Sequence, residues 1–160
     1  MRIQDVSEID EDRFGAFLID QWHADFVVAH DEPMRPAELP GFVAVEGDAI
    51  VGHAAFRIEG DACELVAIAA SPPKRGTGSA LLDRVVTAAR ESGCSRVWLT
   101  TTNDNLDALR FYQRRGFRLA ALRPGVVVDA RRRWKPDLPT TGSYDIPMRD
   151  ELDLELLLER

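Results

Sequence analysis

The feature that most restricts the fold is a succession of strand, turn, helix and strand in the middle of the chain. Cys63 to Ala70 is apolar apart from Glu64, which predicts a central strand covered on both faces. Gly78 to Ser92 carries an apolar stripe at helical spacing that ends at Gly93, and Arg96 to Leu99 is the next predicted strand. Because two strands joined through a helix pair in parallel with a right-handed crossover, we expect an α/β protein.

The turn before this helix, Pro73 to Ser79, has two glycines separated by one residue. Such a turn directs backbone N–H groups and the positive end of the helix dipole at one point, which suits a phosphate group. Gly76 and Gly78 would let the phosphate approach the backbone, and Lys74 or Arg75 would add positive charge. An ordinary strand-to-helix turn has the same spacing, so the motif alone leaves both interpretations open.

Weaker signals predict the remaining elements. Acidic residues after Ser7 predict a helix over Ile9 to Gln21, and the prolines between Asp31 and Gly41 predict a surface loop. The other expected elements are a hairpin over Gly41 to Ile58, a helix over Leu106 to Arg115, a strand over Phe117 to Leu122, a short helix over Val126 to Trp134 and a strand over Glu151 to Leu156. The run Arg131 to Arg133 indicates a solvated face, with a nucleotide contact as the alternative.

Composition limits the class of protein. With 160 residues, 45% of them apolar, the chain has the length of one compact domain. Its net charge of −7 argues against nucleic-acid or anionic-membrane partners and favours a cationic substrate such as a protonated amine. Because no signal peptide or membrane span is evident, we expect a cytoplasmic protein. We expect Cys63 and Cys94 to be reduced structural thiols, and the histidines are too far apart to predict a metal site.

A second signature follows the crossover, because Asn105 to Phe117 has the pattern Asn-x-x-Ala-x-x-Phe-Tyr-x-x-x-Gly-Phe. Together with the apolar strand and the Gly-x-Gly turn, this stretch resembles the Gcn5-related N-acetyltransferases (GNAT), which move an acetyl group from acetyl-CoA to an amine. The resemblance implies a single acyl-CoA N-acyltransferase domain over residues 1–160. The implied fold is a mixed, twisted sheet of about six or seven strands flanked by about four helices.

The resemblance assigns residues of this chain to each part of acetyl-CoA. The pantetheine arm would pair with the backbone of Val66, Ala67 and Ile68, close to Asn105, which is equally well explained as a helix N-cap. The pyrophosphate would be held by the turn, which comprises Lys74, Arg75, Gly76, Thr77, Gly78 and Ser79. Pro73 departs from the family pattern, which has Arg or Gln there, and its missing N–H puts one phosphate contact in doubt.

The resemblance makes Tyr112 the residue that protonates the departing CoA thiolate, with a packed core tyrosine as the alternative. A phenol has an ordinary pKa near 10, so it can share its proton with a thiolate of pKa roughly 8.5 without ionising at neutral pH. The sequence does not single out a base for the amine. Glu64 is the leading candidate, as the lone charge in an apolar strand, against the alternative of an edge or solvent-facing carboxylate. His53 is a second candidate, against the alternative of a hydrogen-bonded structural histidine.

The expected function is an acetyl-CoA-dependent N-acetyltransferase in which the amine attacks the thioester directly. A non-catalytic acyl-CoA-binding or sensor module is the alternative, and a domain for another nucleotide is a third. The acceptor is not indicated, because Trp22 to Gly41 and Pro124 to Tyr144 carry no motif for a substrate class. Trp22, Trp134 and Tyr144 could line its pocket or serve in packing. Edge strands near the C-terminus leave a homodimer open.

Overall fold

The computed structural model describes residues 1–22, 26–73 and 76–159. The chain divides into two units. The first comprises Met1–Val27, Met34–Val97 and Leu158–Arg160, and the second comprises Val28–Pro33 and Trp98–Leu157.

The described residues contain nine strands and four α-helices. The strands are β1 (Arg2–Asp5), β2 (Val27–Ala29), β3 (Glu32–Met34), β4 (Gly41–Glu46), β5 (Ala49–Glu59), β6 (Ala62–Ala70), β7 (Arg96–Thr102), β8 (Arg118–Arg123) and β9 (Glu151–Leu157). The helices are α1 (Glu11–Trp22), α2 (Thr77–Glu91), α3 (Leu106–Arg114) and α4 (Val126–Arg133). Seven of these strands form one sheet in the order β1-β4-β5-β6-β7-β9-β8, and β2 pairs with β3. This architecture confirms the fold class expected from the sequence.

The first unit has α1 on one face of its strands and α2 on the other. Gly52 and His53 are neighbours in β5, so they point to opposite faces. The His53 ring meets Phe14 of α1 edge to face at 4.7 Å. A Cβ added at Gly52 would lie 2.6 Å from Thr77 of α2, so glycine permits close packing of this helix.

Apolar stripes on both helices build the core of the first unit. Phe14 and Leu18 of α1, one turn apart, pack against Val43 and Val45 of β4. On α2 the buried residues repeat at helical spacing: Thr77, Leu81, Leu82, Val85, Val86 and Ala89. Cys63 is also buried as a free thiol, and burial raises its pKa to about 12, so it packs as a small apolar residue.

A β-bulge interrupts β6. Ala67 pairs with Ala55 of β5 and Leu65 pairs with Phe56, so Val66 is the extra residue and has no partner in the register. A bulge bends its strand and changes the direction of the local backbone groups. A second bulge lies in the second unit, where Ala120 of β8 is the extra residue opposite β9.

The structure corrects several of the predicted elements. The predicted helix over Ile9 to Gln21 begins at Glu11, and the predicted loop over Asp31 to Gly41 contains β3 and a 3-10 turn at Pro36–Glu38. Strands β1 and β2 were not predicted, because four and three residues are too few to show alternation. The C-terminal strand β9 lies between β7 and β8, so it is not an edge strand, and the edge strand at this end of the sheet order is β8. No helix among the described residues is both long and apolar enough to cross a membrane.

Candidate functional site

The turn before α2 ends at a glycine that its conformation requires. Gly76 is the N-cap of α2 with φ 80° and ψ −1°, a left-handed conformation that side chains rarely adopt. It supplies no side-chain hydrogen bond to the first turn, and a Cβ added there would meet nothing within 4 Å. The helix therefore starts without a side-chain cap from its N-cap residue, and the space beside the Gly76 Cα is open. Lys74 and Arg75, predicted to add charge here, lie outside the described residues.

Other residues of the turn differ in what they present. The Thr77 side chain is buried, and its hydroxyl donates to Met1 Sδ at 3.4 Å, so this side chain is not available to a ligand. Gly78 and Ser79 are half-buried in the first turn of α2. Pro73 is exposed before the turn and has no N–H, so its place in the sequence contributes no donor.

Strand β6, which precedes this turn, contains the bulge described above, and the bulge changes the direction of its local backbone groups. Val66 is the bulge residue, Ala67 is buried, and Val66 and Ile68 are half-buried. Because Val66 has no partner on β5, its backbone groups are directed differently from those of a regular strand. Bulges are common beside active sites for this reason, and the predicted pantetheine segment from Val66 to Ile68 coincides with one.

Glu64, the leading base candidate, is neither solvent-facing nor at an edge. Its side chain is 4% exposed, and its carboxylate accepts a hydrogen bond from Arg57 Nε at 2.8 Å. The two residues are directly opposite in the β5–β6 register. The alternative of a solvent-facing carboxylate is therefore wrong, because the cross-strand ion pair lets the strand bury this charge.

His53, the second base candidate, is fully buried. Within the described part of the chain neither of its ring nitrogens has a hydrogen-bond partner, so it is not the hydrogen-bonded structural histidine considered above. Burial lowers its pKa to about 4, which keeps the ring neutral. His53 and Glu64 are not brought together, because Glu64 is opposite Arg57, which is four positions after His53 on β5, roughly 13 Å along the strand.

In the second unit Asn105 caps a helix, which was the alternative to a contact with the pantetheine arm. It is the N-cap of α3, with Oδ1 accepting from the Ala108 N–H at 3.3 Å. Its Nδ2 donates to Thr101 Oγ1 at 3.2 Å, which ties the start of α3 to the end of β7. The amide side chain is thus fixed in orientation on both sides.

Tyr112 lies in α3 within an aromatic cluster. Its ring meets Phe111 at 5.0 Å and Phe117 at 5.3 Å, both edge to face, and the residue is 5% exposed. Burial raises the pKa of the phenol above its ordinary value, so the hydroxyl stays protonated well beyond neutral pH. Packing thus fixes the ring and leaves the hydroxyl in its donor form.

A half-buried ionic cluster in the second unit was not predicted. Arg123 of β8 donates to both carboxylate oxygens of Asp153 at 2.7 Å and lies 3.4 Å from Glu151. Thr100 donates to Asp153 at 2.8 Å, and burial raises the pKa of Glu151. The alternating carboxylates of β9 were the available signal, but their arginine partner comes from another strand.

The Glu151 carboxylate also holds the turn between β2 and β3. Both Glu151 oxygens accept from the His30 N–H, at 3.0 and 3.2 Å. The next residue, Asp31, accepts from Trp134 Nε1 at 3.1 Å and from Arg133. His30 and Asp31 both have positive φ, 41° and 59°, which these bonds hold in place.

Each of the predicted pocket residues contacts other side chains of the chain. Trp134 bonds Asp31, and the Tyr144 hydroxyl, on an exposed side chain, donates to Asp107 at 2.5 Å. Trp22 packs against the Phe14 and Leu18 cluster. In the basic run, Arg131 donates to three backbone carbonyls, those of Leu138, Pro139 and Met148. This arginine is therefore structural and not merely solvated.

These features define an acyltransferase fold, and the chain belongs to the acetyltransferase (GNAT) family, whose sequence model matches residues 3–117. The match confirms the family resemblance and the acyltransferase class. The chain is 36% identical over 147 residues to YdhI of Bacillus subtilis (strain 168), covering 91% of each protein. It is also 36% identical over 153 residues to YxbD of the same organism, covering 95% of this chain and 96% of YxbD.

Solved structures share the fold at lower sequence identity. A Bacillus subtilis acetyltransferase in complex with CoA superimposes with a TM-score of 0.72 at 20% identity, over 99% of both chains. A GNAT family acetyltransferase from Elizabethkingia anophelis with acetyl-CoA bound gives a TM-score of 0.66 at 21% identity, over 89% of this chain and 82% of that one.

Proposed function

We propose that this acetyltransferase transfers the acetyl group of acetyl-CoA to an amine, by direct attack in a ternary complex. The observation that carries the proposal is in the first unit, where the β6 bulge at Val66 is followed by a helix that begins at the left-handed Gly76 without a side-chain cap. Solved members of the fold hold CoA or acetyl-CoA, which supports this donor.

The start of α2 fits a pyrophosphate. The backbone N–H groups of Gly76, Thr77, Gly78 and Ser79 lie in the first turn, where the helix dipole adds positive potential. The open space beside Gly76 leaves room for the phosphate oxygens. Lys74 and Arg75 stay predicted contributors of charge. Their contribution would offset the N–H that Pro73 lacks.

The bulged segment of β6 fits the pantetheine arm and the thioester. The backbone of Val66, Ala67 and Ile68 would pair with the amides of the arm. One N–H of this segment would stabilise the negative charge that develops on the carbonyl oxygen during attack. A donor fixed by a bulge is already oriented before the reaction, which is what makes such stabilisation effective.

The bound donor supplies an activated acetyl thioester, and the chain's own residues would handle the protons. We assign Tyr112 as the acid for the departing thiolate, because its buried phenol keeps its proton at neutral pH. Asn105 would support the arm while capping α3. Both cysteines are buried, and burial raises the pKa of each thiol, which supports a mechanism without a covalent enzyme intermediate.

Glu64 remains the proposed base for the amine, acting directly or through a water molecule. His53 is disfavoured in this role, since it is fully enclosed and its pKa is lowered to about 4. The bond from Arg57 fixes the orientation of the Glu64 carboxylate, as a positioned base requires. The net charge of −7 supports a cationic amine as the acceptor.

Calorimetric titration with acetyl-CoA, with ATP and NAD as controls, tests the donor. We expect binding that is selective for acetyl-CoA, followed by thiol release when amines are screened with the loaded protein. Equal or tighter binding of ATP or NAD would exclude acetyl-CoA as the natural ligand. Selective binding of acetyl-CoA without thiol release on any amine of a broad panel would favour the sensor alternative.

Two further expectations are also proposals. A cytoplasmic location is supported by the two buried free thiols, which suit a reducing compartment. Cell fractionation with an antibody to the protein tests it. A homodimer is supported by the presence of an edge strand, β8, at the end of the sheet order.

A further inference from the structure

The edge strand β8 has a sequence that reads the same in both directions. Its six residues are Arg118, Leu119, Ala120, Ala121, Leu122 and Arg123. When such a strand meets a second copy of itself in antiparallel orientation, every residue faces its own equivalent type. This self-complementarity is the requirement of a two-fold symmetric interface.

The bulge at Ala120 places the like residues of β8 on the same face. In a regular strand Leu119 and Leu122 would point to opposite faces, because they are three residues apart. The extra residue removes this difference, since Leu119 pairs with Leu154 and Leu122 pairs with Leu152. Leu152 and Leu154 are two residues apart and share one face of β9, so Leu119 and Leu122 both lie on that face of the sheet.

The same shift gathers the two arginines on the other face. Arg118 pairs with Glu155 and Arg123 pairs with Glu151. Without the bulge, each arginine would share a face with one leucine of β8, Arg118 with Leu122 and Arg123 with Leu119. The strand therefore has an apolar face and a charged face, although its sequence lacks regular alternation.

The apolar face of β8 is not covered within the chain. Leu119 is 54% exposed and Leu122 is 60% exposed, whereas Leu154 beside them on β9 is fully buried. All residues of β8 before Arg123 are exposed. Two adjacent exposed leucines on an edge strand are a surface that proteins usually cover or interrupt with charge.

We propose that β8 is the interface of a homodimer, formed by antiparallel contact with the same strand of a second copy. The two-fold axis passes between Ala120 and Ala121. Leu119 then faces the partner's Leu122 at both ends of the contact, and the apolar face of each strand continues into the other.

The arginines do not oppose this arrangement. Arg118 would come opposite the partner's Arg123, and like charges directly opposite are destabilising. Each arginine already has a carboxylate in its own chain, however, with Arg118 3.1 Å from Glu155 and Arg123 2.7 Å from Asp153. The charged face is therefore close to neutral in each copy. It would not suit a strongly acidic or basic partner strand, which favours a second copy.

A contact between two six-residue strands is small. It falls below the roughly 1,600 Å² of a standard stable interface, so we expect a weak, reversible dimer with a dissociation constant on the order of 10 to 100 μM. The opposite reading is that the bulge and the arginines keep β8 from pairing at all. The two readings predict different masses in solution.

Sedimentation equilibrium over protein concentrations from about 5 to 500 μM distinguishes them, since this range brackets the expected constant. We expect a concentration-dependent dimer, and a monomer at every concentration would overturn the proposal. The double variant Leu119→Glu with Leu122→Glu should be monomeric. The control Ile19→Glu, which places the same charge at a 56% exposed site on α1, should dimerise as the wild type does.

A charge-reversal experiment separates loss of contact from loss of folding. The variant Leu119→Lys with Leu122→Lys should also be monomeric alone. Mixed with the glutamate variant it should form a heterodimer, because each glutamate then faces a lysine of the partner. A dimer that persists in the glutamate variant, or a mixture that stays monomeric, would show that this pairing of Leu119 with the partner's Leu122 is wrong.

Discussion

Replacing Gly76 by alanine tests the phosphate site, and the matched control is the glycine that follows the other end of the same helix. Gly76 begins α2 with φ 80°, and Gly93 follows its end with φ 78°. A Cβ at either position meets nothing within 4 Å. The two substitutions therefore impose the same backbone strain, about 1 to 2 kcal/mol of unfolding free energy, without a steric clash in the free protein.

The variants should differ in ligand binding. Gly76→Ala places a methyl group where the phosphate approaches and disturbs the amides at the helix start, so we expect acetyl-CoA to bind at least tenfold more weakly, about 1.4 kcal/mol or more. Gly93→Ala lies at the opposite end of α2, about 22 Å away along the helix, and should bind as the wild type does.

Calorimetry measures the dissociation constants, and urea unfolding measures the stability of both variants. The reasoning would be refuted by equal losses of affinity in the two variants, because the effect would then come from helix stability alone. It would also be refuted by a Gly76→Ala variant that binds acetyl-CoA at full affinity, because the start of α2 would then not hold the pyrophosphate.

Three further substitutions test the proposed proton transfers and one buried group. Tyr112→Phe should bind acetyl-CoA normally but lose about 100-fold or more in turnover, whereas Tyr144→Phe, which removes the other phenol of the chain, should stay within a few-fold of wild type in steady-state assays. Glu64→Gln should lose more turnover than Arg57→Gln, although both break the same ion pair; equal losses would assign Glu64 a structural role. The pKa of His53 is lowered to about 4 in the folded protein but is 6.5 in the unfolded chain. As the pH falls from 6.5 to 4, the unfolded chain therefore binds a proton that the folded protein does not. This difference lowers the free energy of unfolding by up to about 3 kcal/mol at pH 4. His53→Leu should therefore flatten the pH dependence of urea unfolding between pH 6.5 and 4, and an unchanged slope would contradict the assigned pKa.

The sequence predicts those parts of the fold whose signals are local. The α2 stripe, the apolar β6 and the glycine turn between them are contiguous, so their periodicity shows in one stretch of chain. The motif around Tyr112 is equally compact. Boundaries were less accurate at α1, where Asp10 Oδ1 accepts from the Arg13 N–H and the helix starts at Glu11, two residues after the predicted Ile9.

What the sequence could not predict depends on pairing between distant residues. The bulge at Val66 exists only relative to β5, since a strand has no register until its partner is known. The ion pair that buries Glu64 could not be predicted, because its arginine partner lies on another strand. The isolation of His53 likewise comes from the elements packed around it, and Thr77 turns inward because Gly52 leaves it room.

The anchoring of the β2–β3 turn has a consequence for the order of events during synthesis. His30 is held by Glu151, 121 residues later, and Asp31 by Arg133 and Trp134, 102 and 103 residues later. These partners leave the ribosome long after the turn itself. The turn therefore lacks these native hydrogen bonds for most of translation. A nascent chain stalled before Arg133 should be cleaved by proteases at His30 and Asp31. The finished protein should resist cleavage there.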